Sequence, residues 1–133
     1  MIALLLSLYL LPPEAATRLV AAGDTWMTRT LLAVVQRESQ GVRVGEHPGD
    51  RWCSEQMRRN AIRTGWLSER CRGPGYSVHG AHGLSYSYNA RYAWLSWLCW
   101  PAAFDIPIVS ALAAKRKAQK LCRRRRRNDW CPR

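Results

Sequence analysis

The sequence predicts a mainly α, single-domain fold with room for one short β-hairpin. Three observations carry that expectation. Helix-starting and helix-stopping residues recur along the chain, apolar residues fall at three- and four-residue spacing, and no stretch alternates apolar with polar as a half-buried strand does. At 133 residues the chain is long enough for one modest core and too short for two.

Each element has a local cause. Residues 13 to 22, rich in Ala and opened by Pro13, predict a short helix that Gly23 stops. Asp24 offers an N-cap carboxylate to a second helix running to about Gln40, with Gly41 as its stop. The stretch VRVGEHPGDRW, residues 42 to 52, reads as a loop or a small hairpin, and Ser54 then caps a helix EQMRRNAIRT that ends at Gly65. Residues 70 to 83, RCRGPGYSVHGAHG, are dense in Gly and predict a loop. The aromatic run from Leu84 to Trp100 predicts one long helix ended by Pro101, and Pro107 opens a last helix through IVSALAAKRKAQKL.

Apolar residues make up 47% of the chain, which favours a folded body over disorder. Seven Trp against one Phe also suit carbohydrate, whose flat faces stack on indole, although Trp serves equally well as core. The net charge of +12 is unevenly placed: residues 115 to 133 hold ten of the 21 basic residues and one acid, a net +9. The organisation is therefore a body over residues 1–121 and an Arg-rich tail over residues 122–133. Such a tail suits a polyanion, whether nucleic acid, anionic lipid or wall polymer; a solvated terminus has the same composition.

Five cysteines leave an odd thiol, and the pairing expected is Cys53 with Cys71 and Cys99 with Cys122, which implies an oxidising compartment. Zinc is the rival use, with His79 and His82 nearby, but no C-x-x-C pair is present, and neither a metal nor a cofactor is expected. The apolar run from Ile2 to Leu11 is too short to span a bilayer as a helix. It has the length of a signal-peptide core, followed by Ala15 and Ala16, without a positive n-region, so residues 1–16 read either as a signal peptide or as a retained apolar helix.

Within LLAVVQRESQG, residues 31 to 41, a lone acid ends an apolar helical run. Glu38 shares a helix face with Val35, Val34 and Leu31, three, four and seven positions earlier, which points its carboxyl towards the core side or the rim of a cleft. Burial there and the negative end of the helix dipole both disfavour the carboxylate, which predicts a carboxyl that keeps its proton. Such a group is what a general acid of glycoside cleavage needs. The competing assignment is structural: a bond to a backbone amide or a pairing with a buried Arg.

The same stretch resembles the helix that ends in Glu-Ser in the soluble lytic transglycosylases and goose-type lysozymes. Downstream, GAHGLSYSY, residues 80 to 88, resembles that family's second motif, Gly-Ala-x-Gly-Leu-Met-Gln, matched at Gly80, Ala81, Gly83 and Leu84, with Ser85 and Tyr86 where the family has Met and Gln. SYNARY, residues 87 to 92, echoes its third motif, Ala-Tyr-Asn. The separation from Glu38 to Gly83 is 45 residues, wider than in the family, and implies an insertion carrying the residue 53 to 65 helix and two cysteines.

The resemblance, over roughly residues 25 to 92, implies a lysozyme-like domain that cleaves the MurNAc-GlcNAc β-1,4 bond of peptidoglycan, with Glu38 as general acid and then base. It implies a substrate-binding set of Ser39, Gly83, Leu84, Ser85, Tyr86, Asn89 and Tyr92. A transglycosylase uses the sugar's own groups in place of a second carboxylate; a lysozyme outcome needs a second acid roughly 6.5 to 9.5 Å away for inversion, for which Asp50 and Glu46 are the candidates. The expected setting is the periplasm or cell wall, or a virion carrying the enzyme to its wall. The alternative from another class is a non-enzymatic basic protein that binds nucleic acid or an anionic membrane through its Arg-rich tail.

Overall fold

The computed structural model describes residues 1–39, 41, 51–73, 76 and 80–122, the side chains of residues 51–53 excepted. Within them the chain is mainly helical: α1 (Ile2–Tyr9), α2 (Pro13–Val20), α3 (Thr25–Glu38), α4 (Arg51–Arg63), α5 (Tyr86–Asn89) and α6 (Pro107–Cys122), with 3₁₀ turns at Ala90–Ala93 and Pro101–Asp105. The hairpin expected at residues 42 to 52 lies outside the described residues as far as residue 50; Arg51 and Trp52 are helical. Ser54 is therefore inside α4, where it is buried, and not its cap.

The organising element is α6. Its face carries Ala111, Ala113, Ala114 and Ala118, all fully buried, and their small side chains let α2, α3 and both 3₁₀ turns pack closely against it. Around it the core gathers Met27, Leu31, Leu84, Tyr86 and Phe104. Lys115 reaches back across this contact and donates to the Val20 carbonyl at 3.1 Å, a cation satisfying the C-terminal end of α2. α1 buries none of its own residues: Ile2 and Leu4 are more than 60% exposed. No described helix is long and apolar enough to cross a membrane by itself.

α3 forms as its sequence dictates. The Asp24 side chain accepts from the Met27 amide at 2.9 Å, and the buried residues Met27, Thr30, Leu31, Val34 and Val35 recur at helical spacing. The helix closes with the Ser39 amide on the Val35 carbonyl and Gly41 at φ +80°.

The predicted helix over residues 84 to 100 is corrected. It stops at Asn89, tightens into the 3₁₀ turn and breaks at Trp94, whose φ is +55°. Long-range ties override the local helical preference. The Tyr86 hydroxyl donates to the Leu95 carbonyl and accepts from the Trp100 amide at 3.1 Å, folding residues 95–100 back over their own start. The Ser68 amide bonds the Ser96 carbonyl at 2.9 Å, and Cys99 is held to Cys71 by a disulfide with Cα atoms 5.0 Å apart. That bond also replaces the expected pairs Cys53–Cys71 and Cys99–Cys122; Cys122 is itself disulfide-bonded elsewhere. A continuous helix could not bring residue 99 back to a loop held beside α4.

Candidate active site

The end of α3 meets the turn at residues 80–83. Gly83 donates its amide to the Gly80 carbonyl at 2.9 Å, which closes the turn, and has φ +70°, a conformation that side-chain-bearing residues rarely adopt. A Cβ at position 83 would lie 2.7 Å from Glu38 Oε2 and 2.8 Å from its Cδ, so the carboxyl lies directly on the bare Cα of this glycine. Beside it the Ser39 hydroxyl donates to the Ala81 carbonyl at 2.6 Å. The two stretches that the sequence analysis singled out, Glu38-Ser39 and residues 80–83, are thus locked together by a side chain from each residue of the first.

The turn is fixed from behind. At Gly80 an added Cβ would run into the Phe104 carbonyl and lie 2.7 Å from Ser110 Oγ, so the backbone is seated against the start of α6. His82 is fully buried between α2 and α6, its Nε2 3.0 Å from Thr17 Oγ1 and its Nδ1 2.7 Å from Ser110 Oγ. Thr17 donates to the Pro13 carbonyl at 2.7 Å; with that proton committed, Nε2 carries the imidazole hydrogen and Nδ1 accepts from Ser110. Burial pushes the His82 pKa down to about 4, so the ring is neutral near pH 7. With both nitrogens engaged it is a structural clamp and holds no metal, and no cluster of three or more His, Cys, Asp or Glu that would hold one occurs among the described residues.

Of the two placements that the helix face allows, the core side or the rim, Glu38 takes the rim. Leu31, Val34 and Val35 on its face are buried, but the Glu38 side chain itself is 39% exposed at the rim, and Arg37 Nε donates to it at 3.1 Å. The helix ends at Glu38 itself, so the last turn leaves the core as the apolar stripe runs out. An ion pair this exposed adds little to stability. Open on one side and backed by glycine on the other, the carboxyl is placed to reach a bound molecule.

A second charge is close enough to interact with it electrostatically, at a residue outside the expected site set. Lys117 on α6 is half-buried, and its pKa is lowered by burial and then by the Arg91 guanidinium, while Glu38 acts in the opposite direction. The signal was present: Lys117 follows the buried Ala113 and Ala114 by four and three residues, the placement that drew attention to Glu38.

The other expected site residues separate by depth. Leu84 and Tyr86 are fully buried, and Ser85 and Asn89 are 5% exposed with the Asn89 amide donating to the Ser85 carbonyl at 2.8 Å. These four build the floor beneath the turn and do not present free groups at the rim. Tyr92 lines a separate basic pocket with Arg91, Trp94, Arg116 and Lys120. Glu46 and Asp50 lie outside the described residues. Compared with protein-family models, curated proteins and solved structures, the chain matches none.

Proposed function

We propose that the protein is a peptidoglycan-cleaving muramidase of the lytic transglycosylase kind, with Glu38 as its general acid and base. The observation that supports this reading best is the seating of the Glu38 carboxyl on Gly83. A glycan strand laid along the rim would approach the carboxyl from its exposed side, while the absence of a side chain at residue 83 leaves room for the carboxyl itself against the turn.

In the reaction Glu38 gives its proton to the glycosidic oxygen as the bond to the MurNAc anomeric carbon breaks. The positive charge developing at that carbon is met by the substrate's own N-acetyl oxygen. Glu38, now a carboxylate, withdraws the proton of the 6-hydroxyl as that oxygen closes on the anomeric carbon, giving an anhydro sugar and restoring the acid. Such a route is one of the exceptions to the two-carboxylate scheme. Ser39, bonded to the turn, positions the acid through the backbone it anchors.

Glu38→Gln tests the assignment. It keeps the shape of the side chain and removes the transferable proton, so clearing of purified peptidoglycan should fall by at least a hundredfold, on the scale of lost general acid catalysis. The melting temperature should barely change, because the group is exposed. Undiminished clearing would remove Glu38 from the chemistry.

A further inference from the structure

The pocket beside the 3₁₀ turn at Ala90–Ala93 is a second site, chemically distinct from the Glu38 rim. It is an open depression of about 310 Å³, lined among the described residues by Arg91, Tyr92, Trp94, Arg116 and Lys120: three cations, two aromatic rings and no acid. That volume is near the lower end for small-molecule sites, roughly 300 Å³, and larger than a lone inorganic ion needs.

The cations are held in place by the rings. Arg116 lies over the Trp94 ring with its Cζ 3.1 Å from the centroid, and Arg91 lies between Trp66 at 3.9 Å and Tyr92 at 4.8 Å. Lys120 Nζ is 5.9 Å from the Tyr92 centroid. A guanidinium laid flat on a ring keeps its N–H groups in its own plane, where they meet an anion edge-on, and the stacking limits the rotamer freedom that binding would otherwise remove. One of those groups has no protein acceptor: Arg91 Nε is buried without a hydrogen-bond partner among the described residues, although its terminal nitrogen donates to the Tyr92 hydroxyl at 3.0 Å. Such an unpaired buried donor is uncommon, and without accessible surface it is not a group that a ligand in the pocket would reach.

Three clustered positive charges with no acid between them repel one another, and a dianion relieves that repulsion better than a single carboxylate. A phosphate monoester carries about −1.5 to −2 charge near pH 7 and three acceptor oxygens. The aromatic side of the pocket also fits an organic group. Trp94 is 66% exposed, so one indole face is open to a ring while Arg116 covers the other, and its left-handed backbone at φ +55° turns it out of the helical path.

We propose that this pocket binds a phosphate ester of about mononucleotide size, its phosphoryl group on Arg91, Arg116 and Lys120 and its flat ring on Trp94. The assignment does not depend on the muramidase reading, since it uses neither Glu38 nor the turn at residues 80–83.

The test is a titration of the full chain with AMP, followed by tryptophan fluorescence and calorimetry, with inorganic phosphate and adenosine as partial ligands. AMP should saturate and bind at least tenfold tighter than either. The double variant Arg116→Gln with Lys120→Gln should weaken AMP at least tenfold, and Lys120→Glu, at an exposed position, should do so without bearing on folding. Replacing Arg123 to Arg127 by Gln should change AMP affinity less than threefold while weakening any longer polyanion. Equal affinity for phosphate and AMP, non-saturable binding, or a loss that follows the tail variant instead of the pocket variants would overturn the proposal.

Discussion

Gly83 does two separable things, and Gly83→Ala tells them apart. Its left-handed backbone makes any side chain unfavourable, by about 1 to 2 kcal/mol. The added methyl would also displace the Glu38 carboxyl, which moves cheaply because it is the end of a flexible chain. A modest loss of stability with a much larger loss of peptidoglycan cleavage is therefore expected, measured by thermal melts beside clearing assays; activity falling only in proportion to folded protein would separate the glycine from the chemistry. His82 gives a pH signature of its own. Its folded-state pKa of about 4 lies below the ordinary 6.5, so it stabilises the fold fully above pH 6.5 and progressively less as pH falls towards 4. The loss amounts to about 3 kcal/mol. Denaturant unfolding from pH 7 to 4 should show that loss, and His82→Gln should flatten the slope over that interval. Single residues were legible in the sequence where helical spacing speaks, as for Glu38. The choice between core side and rim was not, because periodicity gives the face of a residue and not where the helix leaves the core. The clamp role of His82 was equally hidden, since Thr17 and Ser110 lie 65 and 28 residues from it.

At the scale of elements, local chemistry determined α2, α3 and α6 almost to the residue, because Pro13, Asp24, Gly41 and Pro107 act on their immediate neighbours. It failed over residues 84–100, where the structure is set by partners far along the chain: Ser68, Cys71 and the Tyr86 hydroxyl. The Cys71–Cys99 bond, spanning 28 residues, should stabilise the fold by about 3.5 kcal/mol through the loop it closes. Cys71→Ser with Cys99→Ser should lower unfolding free energy by that order. The Trp-rich segment that carries Trp94 should loosen first, seen as faster amide exchange over residues 94–100; unchanged exchange there would mean that the Tyr86 and Ser68 ties suffice.

Over the whole molecule, buried alanines let one helix gather the rest, and the charge collects along that helix. Lys115, Arg116, Lys117 and Lys120 are all on α6, so the positive balance read from the C-terminal composition begins within the folded body, where one of its cations interacts electrostatically with Glu38 and two line the Trp94 pocket. Composition exposed the quantity of charge, and only packing divided it between two places. Glu38 and Gly83 are 45 residues apart in sequence and touching in space, a contact that the fold supplies. The most direct measurement is the mass of soluble fragments that the wild-type chain and Glu38→Gln release from purified peptidoglycan. The account predicts muropeptides from the wild type that are lighter by one water than the hydrolysed products, and none from the variant. No release by the folded wild-type chain, or equal release by both, would contradict it.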